Sequence, residues 1–154
     1  MDRGHIYVNK KNFQHNIDYL NDLATKELCI VVKANAYGHG IDWTVKTAIE
    51  SGVKWFAVAT LDEAILVRSI SDNIRILLLS EPSNSELDKL AIHNIDSTVY
   101  NEKFIDEMGQ SGNSYKVHLK IDTGMHRVGC SPESFNGLYE KISSHTNLSL
   151  EGIC

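Results

Sequence analysis

A parallel α/β fold is what the sequence predicts, and three observations predict it. Short apolar, β-rich runs alternate along the chain with amphipathic stretches. Several of those stretches open on residues that cap helices. No low-complexity segment, linker or long charge run breaks the alternation. Strand and helix repeated in this order build a parallel sheet covered by helices.

Phe13, Ile17, Leu20 and Ala24 share one helical face, at i, i+4, i+7 and i+11. Leu28–Val32 is the first strand and ends at Lys33. Asp42 opens a helix that Gly52 closes. Trp55–Ala59 is the second strand, and Thr60 with Glu63 forms a capping box behind it. Arg75–Leu79 is the third, followed by a second capping pair, Ser83 with Glu86. Asp96–Tyr100 is a weaker fourth strand, and Asn101 precedes Phe104, Ile105 and Met108 at helical spacing. Lys116–Ile121 is the fifth. Ser131-Pro132 then reads as an N-cap with proline at the first helical position. Leu148–Ile153 is the sixth. A doubly wound open sheet and a (β/α) barrel both fit this order. Six strands fall short of the eight that a barrel needs, so pattern alone leans toward the open sheet.

Composition narrows the function. With 154 residues the chain is long enough for one domain with a real core. The formal net charge of −5 argues against attraction to nucleic-acid backbones or anionic membranes. The opening Met1–His5 contains no apolar run that could serve as a signal peptide. Leu28–Val32 and Ile76–Leu79 are too short to span a bilayer, so a cytoplasmic protein is expected. Cys29, Cys130 and Cys154 are odd in number and share no metal-type spacing, which suits reduced thiols. The seven histidines are scattered, with no His-Glu-x-x-His pair, and no metal site is expected. Gly38-His39-Gly40 lacks the Lys-Ser/Thr of a phosphate loop.

Two segments carry candidate chemistry. In Val32-Lys33-Ala34-Asn35-Ala36-Tyr37-Gly38-His39-Gly40 a lysine stands where an apolar strand gives way to a Gly-containing loop. Active sites of parallel α/β folds collect at that edge. A partly desolvated lysine there can form a Schiff base. Position alone favours the plainer alternative, a lysine leaving the strand with its ammonium in water. The second segment, Lys120-Ile121-Asp122-Thr123-Gly124-Met125-His126-Arg127-Val128-Gly129, follows the fifth strand. Arg127 would aim a planar cationic fork at the same face, suited to a carboxylate or phenolate. A surface arginine paired with a helix carboxylate is the alternative. Lys120, read as inside the strand, carries a charge that burial makes costly unless it is paired or chemically altered.

Lys33–Gly40 resembles the lysine motif of the alanine racemase family, and Lys120–Gly129 resembles that family's second block. Phe56–Ala64 with Arg68 resembles a third, and Leu150-Glu151-Gly152-Ile153 the start of a fourth. The resemblance implies a (β/α)8 TIM-type barrel, here incomplete at about six strands, and so displaces the open sheet. It implies one domain over 1–154, truncated before its last barrel strands, with the C-terminal β domain absent. It implies a racemase interconverting L- and D-alanine, with pyridoxal 5′-phosphate (PLP) as cofactor and a homodimer as the full-length state. By that resemblance Lys33 is the catalytic lysine that binds PLP, and Tyr37 and Leu79 lie beside the cofactor. Arg127 contacts both cofactor and substrate carboxylate, and Lys120 matches a position that can be carbamylated. The second catalytic base, a tyrosine of the partner, and the phosphate-binding residues would lie beyond Cys154, so an isolated fragment would be inactive. A serine or broad-specificity racemase and a PLP-binding protein without turnover are the alternatives.

Overall fold

The computed structural model describes Gly4 and residues 7–154. The opening Met1–His5, read above for its lack of an apolar run, lies outside them apart from Gly4. The elements run α1 (Lys10–Leu23), β1 (Cys29–Val31), α2 (Lys33–Tyr37), α3 (Ile41–Glu50), β2 (Trp55–Val58) and α4 (Leu61–Ile70). They continue with β3 (Arg75–Leu78), α5 (Leu87–Ile92), β4 (Asp96–Val99), α6 (Glu102–Gln110), β5 (Tyr115–Leu119), α7 (Phe135–Ser144) and β6 (Leu148–Ile153). Capping residues open α4 and α6 where the sequence puts them, whereas α3 starts at Ile41 behind Gly40, so Asp42, read as its opener, lies inside its first turn. The Asn9 side chain accepts from Asn12, Thr60 and Glu63 form the reciprocal box, and Asn101 accepts from Lys103 and Phe104. Ser83 and Ser131 open short 3-10 turns, which pass directly into α5 and α7.

All six strands form one parallel sheet in the order β1-β2-β3-β4-β5-β6. Each strand pairs with its neighbour in sequence, so every connection steps the same way across the sheet. A doubly wound sheet needs a point where strand order reverses, and none occurs among the described residues. The preference for an open sheet, drawn from strand count, is therefore corrected. This is the winding of a partial (β/α) barrel.

The two faces of the sheet bury different chemistry. Val32, Phe56, Val58, Ile76, Leu78, Val99, Val117 and Leu119 are fully enclosed and belong to one apolar core. That core includes Val45 and Ala48 of α3, Ala64 and Val67 of α4, Leu90 of α5, Ile105 and Met108 of α6, and Ile142 of α7. Each large side chain sealed there contributes about 1.5–3 kcal/mol. Strand residues between them point the other way. Ala57 and Leu77 are buried yet stand outside the helix-side core. On this inner face Arg75 Nη2 donates to Asp96 Oδ2 at 2.8 Å and lies 3.6 Å from a Glu151 oxygen. Glu151 is the unpaired residue of a β-bulge, since Val117 pairs Leu150 while His118 pairs Gly152. The Arg75 guanidinium sits 4.9 Å over Trp55, and His118 Nε2 stands 3.6 Å from Asp96. Burial pushes the nearby Cys29 thiol up to about 11, against the opposing pull of Arg75.

Arg68 of α4 is 9% exposed and anchors the strand entries. It donates to the carbonyls of Ile74, His93 and Asn94 at 2.8, 2.9 and 2.9 Å. Among the described residues no helix is long and apolar enough to cross a membrane.

Candidate active site

Lys33 stands just past β1, two residues beyond Val31 and half-buried. Val32 still bonds into the sheet, its N–H donating to the Ala57 carbonyl at 2.8 Å. The chain then does something its sequence does not announce. Ala34, Asn35, Ala36 and Tyr37 all take left-handed backbone, with φ of 51°, 54°, 53° and 53°. Outside glycine that conformation costs about 1–2 kcal/mol per residue, because Cβ crowds the following carbonyl. Strain of this kind persists only where surroundings over-determine it. Ala36 N–H donates to the Val32 carbonyl at 2.9 Å, and Gly40 N–H to the Asn35 carbonyl at 3.0 Å. The Asn35 side chain accepts from Ile41 N–H at 2.8 Å, joining the turn to α3. The His39 Nδ1 lies 2.9 Å from the Ala36 carbonyl, so His39 braces the loop.

A second anchor arrives from the first turn of α4, the helix that follows the neighbouring strand β2. Glu63 Oε1 accepts from Ala34 N–H at 2.6 Å, while Oε2 accepts from Ala59 and Thr60 at 2.9 and 3.2 Å. One carboxylate thus ties the ends of β1 and β2 together. Glu81 does the same further along the rim, accepting from Tyr100 and Asn101 N–H at 2.6 and 2.7 Å.

The Arg127 loop is built on Asp122. Its carboxylate accepts backbone N–H groups from Gly124, His126 and Arg127, each at 2.9 Å. Bonds from Gly124 and His126 first, then Arg127, hold the carboxyl below the usual range, against a smaller opposing effect of burial. The loop closes by Asp122 N–H to the Cys130 carbonyl at 2.8 Å and Cys130 N–H to the Lys120 carbonyl at 2.9 Å.

The residues singled out from the sequence fall into two groups. Lys33 and Tyr37 share the left-handed turn, with Tyr37 60% exposed. Lys120 and Arg127 line one pocket, with Asp122 and Val128. Leu79, half-buried, is the residue after β3 and donates to the Val58 carbonyl at 2.9 Å. All five lie at the C-terminal ends of strands, but no hydrogen bond or ion pair joins the two groups among the described residues. Lys120 corrects the reading that placed it within a strand. β5 ends at Leu119, and Lys120 is half-buried just beyond it, so its desolvation is partial. Sequence reasoning missed the roles of Glu63, seen only as a helix cap, and of Asp122. An Asp-x-Gly stretch after a strand is a turn signal that could have pointed to Asp122.

The donor set suits PLP. No ion pair among the described residues engages Lys33, whose amine is free to condense with an aldehyde. Arg127 offers a fork for an anionic oxygen, and Leu79 an apolar surface on the same rim.

Comparison with known proteins agrees with this geometry. The model of the family described as "Alanine racemase, N-terminal domain" matches residues 8–154. The alanine racemase of Treponema denticola is 37% identical over 153 residues, covering 96% of this chain and 40% of that protein. The crystal structure of alanine racemase from E. faecalis superposes with a TM-score of 0.86 at 32% identity, covering 95% of this chain and 42% of that one. A histidine racemase from Leuconostoc mesenteroides subsp. sake superposes at 0.83 with 25% identity, covering 90% and 39%. The chain therefore spans about two-fifths of the length of these relatives.

Proposed function

The chain belongs to the alanine racemase family, and from that premise we propose that it is the PLP-holding portion of an enzyme that interconverts L- and D-alanine. The observation that carries this reading is the half-buried Lys33, which pairs with no carboxylate among the described residues, on a strained turn at the C-terminal end of β1. When bound, PLP supplies an electron sink for the charge left at the amino acid's α-carbon. Lys33 would hold it through Nζ and move the α-proton on one face of the substrate. Tyr37 and Leu79 would flank the cofactor. Arg127 would orient the substrate carboxylate with its guanidinium fork. A carbamylated Lys120 would exchange a cation for an anion and hold Arg127, with which it shares a pocket. A proton on the opposite face needs a second group, contributed by the rest of the enzyme or by a partner subunit.

The histidine racemase neighbour favours a second reading, in which the same scaffold serves another amino acid. A scaffold shared by racemases named for different amino acids supports reading substrate choice as set by residues that differ between them.

Borohydride trapping tests the proposal. The protein is incubated with PLP, reduced, digested and mapped by mass spectrometry, with Lys33→Ala alongside. Selective modification of Lys33, lost in the variant, is the expected result. Diffuse labelling of surface lysines, the same in both proteins, would overturn it. Racemisation rates of alanine, serine and histidine by the PLP-loaded full-length enzyme would then rank the substrates.

A further inference from the structure

We propose that Glu63 is a positioning residue for Lys33, holding the left-handed turn that aims the amine. This rests on the reading of Lys33 as the cofactor lysine. A capping box needs one bond from this side chain, to the N-cap N–H of Thr60, and glutamine serves that purpose as well as glutamate. Glu63 makes more than that bond. Three N–H groups from two loops converge on its two oxygens: Ala34 on Oε1, Ala59 and Thr60 on Oε2. Only a group that accepts on both atoms satisfies them all. A glutamine would set its NH2 against an N–H on one side or the other. Of the two surplus bonds, the one from Ala34, the residue directly after Lys33, is the shortest of the three at 2.6 Å. Ala34 is the first of the left-handed residues, so the carboxylate grips the turn where its strain begins. Glu63 stands in the first turn of α4, so the packed helix itself sets the place of its carboxylate. The turn carrying Lys33 is thereby referenced to β2 as well as to its own strand.

The role separates from helix capping by comparing two variants. Thr60→Ala removes the cap but leaves the carboxylate facing Ala34. Glu63→Gln keeps a cap-competent oxygen and opposes donor to donor at Ala34. The rate of borohydride-trapped PLP attachment at Lys33 is measured in each, and hydrogen exchange of the Ala34 amide is followed by NMR in the PLP-free protein. Glu63→Gln is expected to slow Lys33 labelling about tenfold or more, as small misplacements of reacting groups do, with the other lysines unchanged. It is also expected to release Ala34 exchange. Thr60→Ala is expected to lower the melting temperature and leave both readouts in place. Unchanged Lys33 labelling in Glu63→Gln overturns the proposal, and so does an equal loss in Thr60→Ala. An unmodified protein that does not label at Lys33 overturns the functional reading and this inference with it. Should Glu63→Gln fail to fold, Ala34 exchange in the unmodified protein decides. Protection supports the bond, and exchange as fast as in an unstructured peptide overturns it.

Discussion

Replacing Arg75 with methionine is expected to destabilise the protein by about 2–3 kcal/mol at neutral pH, mostly through the carboxylate it leaves behind. The Asp96 side chain is only 3% exposed and depends on Arg75 at 2.8 Å for its charge balance. Breaking a fully buried pair costs about 3–5 kcal/mol, and the 40% exposure of Arg75 reduces that through screening by water. Methionine retains part of the packing over Trp55, so the loss reports charge more than volume. Acid provides a check. Burial raises the Asp96 carboxyl, but His118 at 3.6 Å and the hydrogen bond from Arg75 outweigh it and hold the carboxyl below its ordinary range. A carboxyl depressed by folding stabilises fully above its unfolded pKa of about 3.9, and the contribution is lost as pH falls through the lower folded value. Without Arg75 the folded value rises, and protonation relieves the orphaned charge. The gap between the two proteins should therefore narrow as pH falls toward 3.9 and below. Urea unfolding at neutral and acidic pH measures it, and a gap that stays constant or widens would refute the account.

Gly129→Ala is the second large effect, about 3–5 kcal/mol, assembled from strain and overlap. Gly129 has φ of +134°, and a Cβ there would lie 2.5 Å from Asp122 N and 2.7 Å from the Ile121 carbonyl carbon. Both are backbone atoms, so no side chain can swing aside. The overlap falls on the segment whose bonds to Cys130 close the Arg127 loop. Gly124→Ala is the matched control: φ is +146°, but nothing lies within 4 Å. It should lose only about 1–3 kcal/mol through strain. Thermal melts of the two variants, with exchange at the Asp122 and Cys130 amides, separate overlap from strain. Equal losses would mean that the loop yields.

Much of the fold is legible in the sequence, for reasons that differ by element. Runs such as Trp55–Ala59 and Arg75–Leu79 announce strands because β-branched and aliphatic side chains fill a sheet face, and the observed strands end within a residue of them. Capping residues act locally, so Thr60, Asn101 and Ser131 mark their helices. Winding direction is not local. It depends on how each crossover packs, which is why strand count pointed to an open sheet. The apolar face of α1 is only half used: Ile17 is buried, but Leu20 remains 51% exposed. The site divides in the same way. Lys33 and Arg127 are conspicuous by type and place. The bond from Glu63 to Ala34 spans 29 positions, and no pattern in Ala34-Asn35-Ala36-Tyr37, whose alanines favour an ordinary right-handed helix, hints at the opposite hand.

That hand has a synthetic consequence. A left-handed turn is the mirror image of the backbone that L-residues prefer, and a D-residue occupies it without steric penalty. Ala34 is exposed, so inverting its α-carbon disturbs no packed neighbour. Protein assembled by chemical ligation with D-alanine at position 34 should keep the same turn and gain about 1–2 kcal/mol. At this chain length that raises the melting temperature by roughly 2–8 °C. The same inversion inside α3 would instead cost about 1–2 kcal/mol. Chirality at one methyl group thus becomes a gauge of how much strain the turn bearing Lys33 holds.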